Sequence, residues 1–123
     1  MEEELNIEEQ KELLRIARAA ISAHFEGAQP PDLSIESARL KECRGAFVTL
    51  HDKNNCLRGC IGMFMADKPI YKTVREMAVQ AAFRDPRFAP LEENELKNIH
   101  IEISVLSPLK EIRDMEEIEV GKH

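Results

Sequence analysis

The run Leu57-Arg58-Gly59-Cys60-Ile61-Gly62 offers a thiol between two glycines, two residues after a guanidinium. In a regular strand Arg58 and Cys60 point to the same side, roughly 6.5–7 Å apart along the chain. A positive charge at that range favours thiolate over thiol, and the thiolate is the nucleophilic form. Glycine packs nothing in a strand and marks a bulge or a close approach to the backbone, so Gly59 and Gly62 leave the way to Cys60 uncrowded. The same residues suit a plainer reading. Cys60 would then be a small buried hydrophobe, and the glycines would let a helix lie close on a sheet.

Asp85-Pro86-Arg87-Phe88 is the second run with chemical content. Proline sets a turn just past a helix and Asp85 can cap it. Arg87, beside Arg84, would then serve as an anion clamp, with Phe88 as an apolar wall or stacking platform. The alternative is an Asp85–Arg87 ion pair that locks the loop while Phe88 plugs the core. Glu102 has the chemistry of a general base, or of a solvated strand carboxylate. Cys56 and Cys60 on one strand stand about 13 Å apart, too far for a single ion. His24, His51, His100 and His123 form no pair at metal-ligand spacing. No metal and no cofactor is expected.

These residues need a frame. Asn6 and Glu9 have capping-box spacing, and Ile7, Leu14, Ala17, Ile21 and Phe25 recur at helical period, which predicts a helix that Gly27 stops. Residues 28–38 read as a polar or extended loop. Ala46 to Leu50 and Leu57 to Met65 read as strands joined by the turn residues 52–55, an antiparallel hairpin with Arg58 and Cys60 on its second strand. A second helix follows, with Asp67 as its expected N-cap and Pro69 in its first turn, ending before Pro86. Residues 92–98 suit a helical turn. Ile99 to Leu106 alternates at period two, with His100, Glu102 and Ser104 on the wetter side, and Pro108 ends it. No strand is expected in Leu109 to His123. The result is an α+β fold, a mostly antiparallel sheet packed against helices.

Bulk properties limit the function classes. With 123 residues, 43% of them hydrophobic, the chain suits one domain with its own core. No apolar run approaches membrane-spanning length and the first residues are acidic, so a cytoplasmic protein without membrane contact is expected. Three cysteines, an odd number, read as free thiols in a reducing compartment. A net charge of −6 argues against a protein that wraps duplex DNA. It leaves room for a local basic site, because Arg58, Lys72, Arg75, Arg84 and Arg87 fall in the middle third.

Five segments in order resemble the AMMECR domain family. They are Arg44 to Leu50, Leu57 to Gly62, Ala81 to Phe88, Ile101 to Pro108, and Glu119-Val120-Gly121-Lys122-His123. The resemblance implies a larger and a smaller subdomain with a cleft between them. It also implies an association with Memo-like and radical-SAM proteins, and through it a role in modifying a nucleotide or RNA. Carried over by position, it marks Arg58, Gly59, Cys60, Gly62, Asp85, Arg87 and His123. Members of that family continue well beyond the Val-Gly-Lys-His run. The chain is therefore read as one AMMECR-type domain over 1–123 that lacks its C-terminal part. The expected function is an enzyme or enzyme component acting on a small anionic or nucleotide-like substrate. In it Cys60 is the reacting thiol, Arg58 activates it, and Arg87, supported by Asp85, holds the anion. The competing expectations are a binding module or adaptor with a silent Cys60, and a redox-sensing thiol.

Overall fold

A reciprocal pair starts the first helix. Glu9 N–H donates to Asn6 Oδ1 at 2.8 Å and Asn6 N–H donates to Glu9 Oε1 at 2.8 Å, the expected capping box. In the computed structural model, which describes residues 5–28, 35, 37–106 and 110–113, helix α1 runs over Ile7–Phe25. Strands β1 (Ala46–His51) and β2 (Leu57–Met63) form the expected hairpin, helix α2 spans Ile70–Phe83, and strands β3 (His100–Val105) and β4 (Lys110–Arg113) follow. A 3-10 turn at Glu93–Asn98 occupies the segment expected to be helical. Another, at Arg39–Lys41, was not expected, and most of the anticipated loop over 28–38 lies outside the described residues.

The four strands are antiparallel in the order β2-β1-β3-β4. Burial alternates along β1 and β3, and the register aligns the buried rows: Ala46 with Val105, Val48 with Ile103, Leu50 with Ile101. Both helices cover that face. Leu13, Ile16, Ala17 and Ile21 of α1 and Val74, Met77, Ala78 and Ala81 of α2 join these strand residues in one core. The other face carries Phe47, Thr49 and His51 opposite Ser104, Glu102 and His100. A one-residue slip would exchange the two faces, so burial itself fixes the register.

Two expectations need correction. Pro69, not Asp67, caps α2, and no side-chain bond supports it. The Ile70 N–H instead donates to the Glu42 carbonyl at 2.7 Å, so a neighbouring segment does the work of a side-chain cap. β4 was not expected at all. Its Ile112 is buried opposite Ile103, but one apolar residue in a four-residue strand makes no periodic signal.

Thr73 is fully buried in α2, and its hydroxyl has no hydrogen-bond partner among the described residues. Such a group carries a desolvation cost without return. Thr73→Val should therefore raise the urea midpoint, by the equivalent of about 0.5–2 kcal/mol. A lower midpoint would mean that the hydroxyl is satisfied.

Candidate functional site

β2 is an edge strand, and its register with β1 is interrupted. Thr49 pairs with Cys60 and Leu50 with Gly59, but His51 pairs with Leu57, so Arg58 has no opposite residue. The extra residue makes a β-bulge, which redirects a side chain. The Arg58 guanidinium accordingly goes to Glu95, with Nε donating to Oε2 at 3.1 Å and Nη2 to Oε1 at 2.9 Å. Nη1 donates to the Ala89 carbonyl at 2.9 Å and Nη2 to that of Pro90 at 3.4 Å. Hydrogen bonding by Arg58 holds the Glu95 carboxyl below its ordinary range. The expectation that Arg58 serves Cys60 assumed a regular strand. The bulge removes that geometry and makes Arg58 the fastener of residues 89–95.

Arg87 is the guanidinium that engages Cys60. Asp85 lies just beyond α2 and is buried. Its Oδ2 accepts from the Cys60 N–H at 2.9 Å and from Arg87 Nη2 at 2.7 Å. Its Oδ1 accepts from both the backbone N–H and Nε of Arg87 at 3.0 Å. Arg87 Nη2 also donates to the Cys60 carbonyl at 3.3 Å. Side chains thus satisfy both backbone groups that Cys60 turns toward the free sheet edge. The Arg87 hydrogen bonds, seconded by the Cys60 N–H, hold the Asp85 carboxyl far below the usual carboxylate range. Arg87 is pushed up chiefly by its bond to Asp85. The ion pair of the plainer reading is present, yet the Arg87 side chain is 56% exposed. Both N–H groups of its Nη1 have no partner among the described residues. Its guanidinium lies 5.4 Å from the centroid of the half-buried Phe88.

The two glycines have packing reasons. A Cβ on Gly59 would meet the Ala81 carbonyl of α2, so this glycine admits the helix against the strand. A Cβ on Gly62 would meet the Ala46 carbonyl and the ring of Phe47, its cross-strand partner. Cys60 itself is half-buried on the sheet face opposite the helices, and its Sγ lies 3.1 Å from Thr49 Oγ1. Thr49 stands in register between Cys60 and Glu102, and Glu102 Oε1 lies 3.3 Å from His51 Nε2. Thr49 and His51 went unmarked in the sequence. The signal that identifies them is the alternation of 46–51, which puts both on the outer face once the hairpin register is known.

His123 lies outside the described residues. Cys43 and Cys56 are free and exposed. Among the described residues no three His, Cys, Asp or Glu side chains could hold a metal, and no helix is long and apolar enough to cross a membrane. A pocket of about 320 Å³ opens beside the start of α1, lined by Asn6, Glu8, Glu9, Glu12, Arg15 and Ser37, and includes none of the Cys60 group.

The AMMECR1 family model matches residues 14–123, and the chain belongs to that family. It is 40% identical to Protein MK0488 of Methanopyrus kandleri, over 100% of this chain and 63% of that protein. It is also 40% identical to a protein of Thermotoga maritima, over 76% of this chain and 54% of the relative. The crystal structure of the uncharacterized protein PH0010 from Pyrococcus horikoshii superposes with a TM-score of 0.71 at 33% identity, covering 78% of this chain and 50% of that one. The chain thus spans about half to two-thirds of the length of these relatives.

The Asp85 clasp has a pH signature. In the folded chain its carboxyl stays ionised to lower pH than in the unfolded chain, where an ordinary aspartate titrates near about 3.9. Its stabilisation is complete above that value and is lost as pH falls below it, because the unfolded state then binds the extra proton. Asp85→Asn should lower stability at neutral pH by about 1–3 kcal/mol and flatten the acid limb of a stability-against-pH curve. An acid limb as steep as that of the parent chain would contradict the clasp.

Proposed function

We propose that this AMMECR1-family chain binds a nucleotide-like anion on the outer face of its sheet and presents Cys60 to it as the reacting thiol. The observation that carries the reading is the position of the Cys60 sulfur, on the face that neither helix covers and beside a hydroxyl. The surroundings suit a ligand with a flat base and an anionic group. Phe47 supplies an aromatic ring on that face, with the bare backbone of Gly62 opposite it. Thr49, Glu102 and His51 supply a row of hydrogen-bonding groups. Arg87 supplies the cation, with its Nη1 donors open among the described residues. A place beside Memo-like or radical-SAM proteins rests on the family resemblance alone.

A second reading, a protein-binding module, draws on Phe64 and Met65. They are 76% and 85% exposed just past β2, and the Phe64 ring meets that of Phe47 edge-to-face at 5.3 Å. Apolar side chains so exposed and adjacent suit a protein contact.

Titration with adenosine monophosphate, followed by amide NMR, separates the two. Expected are shifts at Phe47, Thr49, Cys60 and Arg87, with affinity about tenfold weaker in Arg87→Gln and falling with added salt. No perturbation at millimolar nucleotide, or perturbation confined to other residues, would overturn the first reading. Concentration-dependent association that disappears in Phe64→Ser would then support the second.

A further inference from the structure

The free edge of β2 carries one rung that the fold has filled and one that it has left open. An edge strand turns alternate residues outward, each with an N–H and a carbonyl that no strand pairs. At Cys60 side chains satisfy both. The N–H donates to Asp85 Oδ2 at 2.9 Å, and the carbonyl accepts from Arg87 Nη2 at 3.3 Å. A carboxylate and a guanidinium stand where the carbonyl and N–H of a neighbouring strand would be. Thr49 and Cys60 are therefore a non-hydrogen-bonded pair of the β1–β2 ladder, and the unbroken register from Gly59 to Met63 makes Phe47 and Gly62 another. Gly62 is thus the next residue to turn its N–H and carbonyl to the edge, and neither group has a partner among the described residues.

Arg87 extends toward that rung. Asp85 takes the Nε and Nη2 side of its planar fork, with Oδ1 at 3.0 Å from Nε and Oδ2 at 2.7 Å from Nη2. Nη1 is left on the side away from the carboxylate. Asp85 sits at the Cys60 N–H and Nη2 at the Cys60 carbonyl, the end nearer Gly62, so Nη1 lies on the Gly62 side. The Phe47 ring comes close enough to Gly62 to meet a Cβ there, so the aromatic platform adjoins the same rung.

We propose that a phosphoryl group seats on the open rung, with one oxygen accepting from the Gly62 N–H and another from Arg87 Nη1. The inference deepens the nucleotide reading and rests on it. It assigns the anionic group to the edge of β2 and leaves Phe47 and the outer face to the base. The ligand class follows from the donors. A backbone N–H and a guanidinium with two open N–H groups suit a tetrahedral anion that has several acceptor oxygens, and both are common contacts of phosphate. The Gly62 amide then does for an oxyanion what it would do for the carbonyl of an added strand.

Amide NMR with three probes tests the seat: inorganic phosphate, adenosine monophosphate, and adenosine, which lacks the phosphoryl group. With both phosphoryl probes at millimolar concentration the Gly62 amide proton should move downfield and exchange about tenfold more slowly, and with adenosine it should do neither. Arg87→Gln should weaken phosphate binding about tenfold. Arg87→Lys keeps the charge but loses the fork, and it should also bind more weakly than the parent chain. Spectra without ligand confirm that each variant is folded. Suppose adenosine monophosphate moves the Phe47, Thr49 and Cys60 amides but shifts Gly62 no more than adenosine does. The phosphoryl seat is then overturned and the nucleotide reading stands. A Gly62 response to phosphate, with Phe47 and Thr49 unmoved by adenosine monophosphate, would sink the nucleotide reading and support the seat. Unchanged phosphate affinity in both Arg87 variants, or a Gly62 amide silent to every probe, would also overturn the seat.

Discussion

The Asp85 carboxylate is the fastening on which the candidate site depends. It is buried, and a buried charge survives only when it is paired and hydrogen-bonded. Arg87 provides the pairing, and the Cys60 N–H uses remaining acceptor capacity. Through this one group the end of α2 is tied to the middle of an edge strand. Edge strands carry unpaired backbone donors and acceptors that invite association, and here side chains satisfy both such groups of Cys60. Gly59 adds the second attachment from the helix side, because only a residue without a Cβ lets Ala81 come so close.

A second guanidinium–carboxylate pair runs in the opposite sense. The first sends a carboxylate from the loop to the strand. The second sends the Arg58 guanidinium from the strand to Glu95 and to the carbonyls of Ala89 and Pro90. Together they hold residues 85–95 of the connection between α2 and β3 against the same edge. Because β3 carries Glu102, the thiol and the carboxylate of the outer face are held by one continuous set of constraints, although they lie on non-adjacent strands.

Much of the scaffold was legible in the chain because it is local. The Asn6–Glu9 pair, the helical periods, the 52–55 turn and the alternation of 99–106 each act within a few residues, and each produced its element. What was not legible arises from partners distant in sequence. The α2 start depends on Glu42, β4 depends on an open edge beside β3, and the fate of Arg58 depends on Glu95. The candidate site divides in the same way. Cys60 and the Asp85–Arg87 run stand out by residue type. Thr49 and His51 are ordinary strand residues until the register sets them beside Cys60 and Glu102.

The bulge decides which arginine belongs to the thiol. Without the extra residue, strict alternation would put Arg58 on the same face as Cys60, and its charge would act directly on the sulfur. With it, Arg58 spends its Nε, Nη1 and Nη2 donors on a carboxylate and two carbonyls at the rim of the sheet. Arg87 takes the place beside Cys60 under different terms. It meets the backbone rather than the sulfur, and it keeps Nη1 clear among the described residues. A guanidinium with four of its five N–H groups engaged by a carboxylate and two carbonyls is a strut. One that is anchored through Nε and Nη2, with Nη1 clear and half its surface in water, is pre-oriented for an incoming anion. The thiol, meanwhile, has its side-chain hydrogen bond to a neutral hydroxyl. Anion capture and thiol chemistry are therefore assigned to different groups on this face, and each can be altered without removing the other.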